Sequence, residues 1–174
     1  MSNLDPANFT HLRVHSQGSL LCSTASVNDL VQRAAAAGMK ALALTDHHAL
    51  YNVVQFDGAC RAAGIQSIVG MTIGVVGEEN GHPPHNLVLL ATGAAGYQSL
   101  CRLSACLQAA PDRESRLQTG LSWDDLKAYN DGLIAIEAGL SGQLARHLQA
   151  GKRQAAAQYA GRLAAIFTDR CYVG

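Results

Sequence analysis

Apolar and polar positions along the chain fall into strand and helix patterns that take turns. Over 9–15, Phe9, His11, Arg13 and His15 point one way while Thr10, Leu12 and Val14 point the other, the two-residue period of a strand. Ser26 followed three residues later by Asp29 marks a helix start, and Leu30, Val31, Ala34 and Ala37 then repeat at helical spacing up to Gly38, a stop residue. The apolar run 40–45 ends on Asp46 and suits a buried strand. A helix is expected over 49–63, with Val53, Phe56 and Cys60 facing inward and Gly64 as its stop. A strand lies within 65–76, and the turn-rich segment 77–85 leads to another over 86–92.

The second half continues the alternation. A helix is predicted over 97–109, where Leu100, Leu103, Cys106 and Leu107 form a core or interface stripe. A polar stretch at 111–120 precedes a short capped helix at 122–129, a strand at 132–137, helices at 143–149 and 153–167, and the start of a sixth strand at 171–173. Trp123 reads as a packing anchor at a helix start, His147 as a solvent-facing helix position and His82 as an exposed loop residue.

Strands alternating with helices imply βαβ units, parallel pairing and an α/β architecture, either an open doubly wound sheet or a barrel. No glycine-rich phosphate loop follows any strand, which favours the barrel. Residues 1–8 are polar, contain Pro6 and read as a leading arm; 9–174 read as one domain. A closed barrel takes about 250 residues. With 174, and nothing to cover the last strand, this domain is expected to be incomplete at its C-terminal end.

Composition narrows the function classes. Thirteen Lys plus Arg balance thirteen Asp plus Glu, so a nucleic-acid-coating surface or an acidic tail is not indicated. Hydrophobic residues at 48% and charged residues at 15% fit a folded globular chain rather than a disordered one. No apolar run approaches the roughly 18 residues of a membrane span, and no signal segment opens the chain. Five cysteines without a CxxC spacing read as reduced thiols in a cytoplasm.

Ionisable residues gather where the first two predicted strands end: Arg13 and His15 at one, Asp46, His47 and His48 at the other. In parallel α/β folds these ends are where active sites assemble. Imidazole and carboxylate are also the usual ligands of Zn²⁺ or Mn²⁺. The same residues could equally cap loops and turns.

FTHLRVHSQGSLLCSTASVNDLVQRAAAAGMKALALTDHHALYNVVQF resembles the start of the PHP (polymerase and histidinol phosphatase) domain found at the N-terminus of bacterial DNA polymerase III alpha subunits. The likeness continues in order through AAGIQSIVGM, NLVLLATGAAGYQSLCRLSA, GLSWDDLKAYNDGLIAIEAGLSG and IFTDRCYVG. It implies a distorted (β/α)7 barrel, of which this chain is an N-terminal part, with a metal cluster at the C-terminal ends of its strands.

Carried across residue by residue, the implied ligand set is incomplete. Of an HxH motif only His15 remains, with Arg13 in the first position; the TDH motif is intact as Thr45, Asp46 and His47. An acidic loop position holds Cys22, a soft replacement as a thiolate. A glutamate position holds Thr72, a histidine position holds Asn86 with His85 one residue early, and a cysteine position holds Gly139. A guanidinium has no lone pair to donate and stays charged, so Arg13 repels a cation and is expected to pair with Asp46 in its stead.

The resemblance therefore implies a degenerate site: no resident cofactor, with Zn²⁺ or Mn²⁺ the ion if one binds. The expected role is a structural and docking module within the remainder of a polymerase alpha chain and for its proofreading exonuclease, in DNA replication. The alternative is an active metal-dependent phosphoesterase, a 3′ to 5′ exonuclease or small-molecule phosphatase using His15, Asp46 and His47, with Cys22 and His85 as additions.

Overall fold

The computed structural model describes residues 5–77, 83–109 and 111–174. They form two compact units, Met1–Met71 and Thr72–Gly174, and the fold is mixed α/β. His82 lies outside the described residues.

In the first unit a 3-10 turn, Pro6–Asn8, is capped by the Asp5 carboxylate, which accepts from the Ala7 N–H. Then come α1 (Val27–Ala36), β1 (Ala41–Leu44), α2 (Val53–Ala63) and β2 (Gln66–Val75), the last of which runs on into the second unit. Ser26 caps α1 by accepting from the Asp29 N–H, as its position predicts. β1 and β2 pair in parallel, Ala41 opposite Gln66 and Leu44 opposite Val69, across the α2 crossover. Val27, Val31 and Ala34 of α1, Leu42 and Leu44 of β1, and Phe56 and Cys60 of α2 share one buried core. This core fixes the C-terminal end of β1, from which Thr45, Asp46 and His47 emerge.

Two expectations change in this unit. Residues 9–15 are not a strand; they run beside β1 with the His11 carbonyl accepting from Ala43 N–H and the Val14 carbonyl from Thr45 N–H. The Thr45 hydroxyl takes the next position, accepting from the Val14 N–H at 3.0 Å, so a side chain replaces the ladder. α2 begins at Val53 rather than at residue 49, because the Asn52 side chain is used outside the helix, donating to Ser16 Oγ at 2.9 Å. His48 also sits at a φ of 59°, a left-handed conformation that a helix start does not accommodate.

The second unit holds β3 (His85–Ala91), α3 (Ala94–Gln108), α4 (Arg113–Thr119), α5 (Trp123–Ala128), β4 (Leu133–Glu137), a 3-10 turn (Gly139–Ser141), α6 (Gln143–Gln149), α7 (Arg153–Phe167), another 3-10 turn (Thr168–Arg170) and β5 (Cys171–Val173). Ser122 and Asp125 form a reciprocal capping box on α5. Leu100, Leu103 and Leu107 are buried, which resolves that stripe as core.

All-parallel pairing does not hold here. β4 and β5 are parallel, but β3 and β4 are antiparallel, Leu87 opposite Glu137 and Ala91 opposite Leu133. Three helices separate β3 from β4, and the chain re-enters beside the end of β3: the Thr92 N–H just after β3 donates to the Gly132 carbonyl just before β4. α4 was not expected; it buries no residue, so it leaves no apolar stripe to read. His147 is buried rather than solvent-facing, with its Nε2 3.1 Å from Gln143 Nε2 and its ring 6.3 Å from that of Tyr159. Trp123 is buried as an anchor, with the Arg162 guanidinium 4.3 Å from its ring centre. The five cysteines are free thiols.

Candidate functional site

Asp46 leaves the end of β1 with only 3% of its surface exposed. A carboxylate so hidden persists only if donors replace its water. Ser16 N–H and Ser19 Oγ donate to Oδ1 at 2.6 and 2.7 Å, and Ser16 Oγ donates to Oδ2 at 2.5 Å. Ser16 Oγ in turn accepts from Gly18 N–H at 3.1 Å and from Asn52 Nδ2 at 2.9 Å. One donated and two accepted bonds exhaust a hydroxyl's capacity. A Cβ on Gly18 would stand 2.6 Å from Asn52 Nδ2 and 2.9 Å from Asp46 Oδ2, so the close approach of the loop requires glycine there.

The histidines complete this cluster. The rings of His15 and His47 stack with centroids 4.6 Å apart and planes 7° apart, and His48 lies 5.8 Å from His47. Burial lowers the pKa of His15, helped by the Arg13 charge, against which Asp46 acts in the other direction. His47 is driven down to about 4, mainly by burial and then by the neighbouring charges of His15, His48 and Arg13. Burial also lowers His48. At neutral pH the stacked pair is therefore uncharged. Ser19 Oγ accepts from the His47 backbone N–H at 3.0 Å and lies 3.4 Å from His15 Nδ1.

The pairing expected between Arg13 and Asp46 gives way to this arrangement: the bonds to the carboxylate come from Ser16 and Ser19, and Arg13 is an exposed residue acting on the histidines by its charge. Cys22 is an exposed thiol on the same loop, its N–H donating to the Ser19 carbonyl. Of the predicted ligands, the first unit thus brings His15, Asp46 and His47 together. Ser16, Ser19 and Asn52 are the residues that sequence reasoning missed. Their signal lay in the hydroxyl-glycine-hydroxyl run Ser16, Gly18 and Ser19 directly after His15.

These donors do not fit a shared ion. An imidazole binds a metal through an in-plane lone pair at about 2.1 Å. Two nearly parallel, stacked rings have no common point in both planes, and both carboxylate oxygens already accept hydrogen bonds. Among the described residues no three His, Cys, Asp or Glu side chains come together as a metal-holding group.

The second unit holds the remaining candidates. Thr72 and His85 are fully buried and Asn86 is half-buried. Neither ring nitrogen of His85 has a hydrogen-bond partner among the described residues; its neighbours are the rings of Tyr159 at 5.1 Å and Trp123 at 6.0 Å. Burial, reinforced by the charges of Arg146 and His147, lowers His85 to about 4. Gly139 sits at a φ of 59° and donates its N–H to Glu137 Oε2 at 3.0 Å, while Leu144 N–H donates to Oε1 at 3.1 Å. Glu137 is a buried carboxylate that sequence reading placed only as a strand end. Gly142 lies against it so closely that a Cβ would overlap the carboxylate.

Comparison with known proteins settles the family. A model of the PHP domain matches residues 11–174. The chain belongs to the PHP domain family. This PHP chain is 40% identical over 160 residues to the DNA polymerase III subunit alpha of Bacillus subtilis (strain 168), covering 92% of this chain and 14% of that protein. It is 38% identical to the Escherichia coli (strain K12) DNA polymerase III subunit alpha, covering 82% of this chain and 12% of that protein. An error-prone DNA polymerase of Symbiobacterium thermophilum is 35% identical over 95% of this chain and 16% of its own length. The PHP chain thus spans a small part of each relative. Among solved structures, an amidohydrolase from Chromobacterium violaceum shares the fold with a TM-score of 0.55 and 16% identity, covering 84% of this chain and 74% of that one. The expected α/β fold of PHP type is confirmed by these matches.

Proposed function

We propose that this PHP domain acts in DNA replication as a structural and docking module of a DNA polymerase III alpha chain, without hydrolytic activity of its own. The observation that carries this reading is the state of Asp46: the acid of the retained TDH motif accepts three hydrogen bonds from Ser16 and Ser19 beside two stacked, uncharged histidines. A phosphoesterase of the family type needs open ligand positions for an ion that activates water. At this carboxylate both oxygens are already engaged by serine donors. Its partners are the remainder of the alpha chain and, more specifically, a proofreading exonuclease subunit; its place is the cytoplasm. Among the described residues no helix is long and apolar enough to cross a membrane. The zero net charge supports docking to protein rather than wrapping of nucleic acid.

Elemental analysis of protein purified without chelator, beside an assay of Mn²⁺- or Zn²⁺-dependent phosphodiester hydrolysis, tests the reading. The expected result is no stoichiometric metal, no hydrolysis above blank and retained capture of an exonuclease subunit. Stoichiometric metal together with activity lost in His47→Ala would replace it with the phosphoesterase alternative.

A further inference from the structure

One hydroxyl touches every retained member of the first-unit cluster. Ser19 Oγ donates to Asp46 Oδ1 at 2.7 Å, accepts from the His47 backbone N–H at 3.0 Å and lies 3.4 Å from His15 Nδ1. Ser16 Oγ also binds Asp46, but its other contacts, Gly18 N–H and Asn52 Nδ2, belong to the loop and to the residue before α2. The two serines therefore do different work. Ser16 fastens the loop to the carboxylate, whereas Ser19 joins carboxylate to histidines.

We infer that the Ser19 hydroxyl takes the place of the ion of the family site, bridging the Asp46 carboxylate, the His15 ring and the His47 backbone and thereby closing the cluster to divalent cations. An ion at this place would draw the carboxylate and an imidazole to one point; the hydroxyl does so for Asp46 and His15, with one donated bond and its lone pairs, and ties the His47 backbone to them. Its occupancy also fixes the ring stack, because a side chain held between Asp46 Oδ1 and His15 Nδ1 keeps the imidazole from turning its lone pair toward the carboxylate. The loop that carries it is held in turn by the Ser19 N–H to Ser16 carbonyl bond and by the Cys22 and Ser23 N–H groups donating to the Ser19 carbonyl. This inference rests on the degenerate-site reading and adds which residue keeps the site closed.

The test uses the full-length protein that carries this chain, with Mn²⁺ and Zn²⁺ as probes and the wild type prepared in parallel. Arg13→His supplies the missing imidazole; it is made alone, with Ser19→Ala and with Ser16→Ala. Metal per chain by elemental analysis, affinity by calorimetry and the metal-induced rise in Tm are read for each. Arg13→His with Ser19→Ala should gain one ion and bind at least tenfold more tightly than Arg13→His alone, which should match the wild type. Arg13→His with Ser16→Ala should also match the wild type, since a merely structural serine leaves the Ser19 bridge in place. Equal gain in the two double variants, or full gain in Arg13→His alone, would overturn the role of Ser19 while leaving the degenerate-site reading intact. Stoichiometric metal in the wild type would overturn both. Should a double variant fail to fold, Ser19→Gly beside Arg13→His gives the same comparison.

Discussion

Asp46 and His85 are both buried polar residues at strand ends, one just after β1 in the first unit and one opening β3 in the second, yet they are held in opposite ways. Asp46 accepts three hydrogen bonds from Ser16 and Ser19; among the described residues His85 has none and is enclosed by the rings of Tyr159 and Trp123. The difference follows from charge. A carboxylate at neutral pH must be supplied with donors when it leaves water, while an imidazole driven to a pKa of about 4 is neutral and can be kept by packing. The two residues are thus kept by different physics, hydrogen bonding in one unit and aromatic contact in the other.

The largest effect should come from breaking the bonded site. Asp46→Ala strips an acceptor from Ser16 N–H, Ser16 Oγ and Ser19 Oγ at once in a buried setting, and each stranded donor costs about 1–3 kcal/mol. A loss of roughly 3 kcal/mol or more in urea unfolding is expected. A loss below about 1 kcal/mol would mean that the serines find other acceptors, and the contrast with His85 would collapse.

His85 should respond to volume rather than to polarity. His85→Ala leaves a void and should cost about 2–4 kcal/mol, whereas His85→Phe keeps a ring, forfeits no hydrogen bond and should stay within about 1.5 kcal/mol of the wild type at pH 7.5. Acid should separate the two residues further. The folded chain keeps His85 neutral down to about 4, whereas the unfolded chain protonates it near 6.5, so the unfolded state binds more protons between these values. Stability from this residue is complete above about pH 6.5 and drains away as the pH falls toward 4, by up to about 1.4 kcal/mol per pH unit. Thermal melts of wild type and His85→Phe from pH 7.5 to 5 should therefore converge or cross, the wild type losing more. Parallel curves would show that His85 is not the buried neutral group.

How much of this was legible from residues alone depends on what each feature leaves in the pattern. Helices with a buried stripe and a cap, such as α1 with Ser26 and Asp29 or α5 with Ser122 and Asp125, were readable because local chemistry and burial agree. α4 was not, since a helix that buries no residue has no periodic apolar face to read. The antiparallel β3–β4 pair was missed because direction depends on where three intervening helices return the chain, which no local spacing records. Residues 9–15 alternate like a strand, but the Thr45 hydroxyl takes over where the next ladder bond would be. At the site, the retained His15, Asp46 and His47 were legible as residue types. The hydrogen bonds of Ser16 and Ser19 to Asp46 were not, because serine is common in loops and only its distance to a carboxylate gives it meaning.

The smallest effect should come from Arg13, and it tests whether its influence on the bonded site is electrostatic alone. Arg13 is exposed, and its charge lowers the pKa of both His15 and His47. Arg13→Gln should change stability at neutral pH by less than about 1 kcal/mol, as exposed charged positions do. It should raise the titration midpoints of His15 and His47, followed by their ring proton shifts in NMR, and leave His85 unmoved, since Arg13 is not among the charges acting on that residue. The rise should shrink as salt is added, because a charge at the surface is screened. A large stability loss instead, or midpoints that stay where they are, would mean that Arg13 holds the loop by contact, and the serine clamp on Asp46 would then share its structural work with a cation.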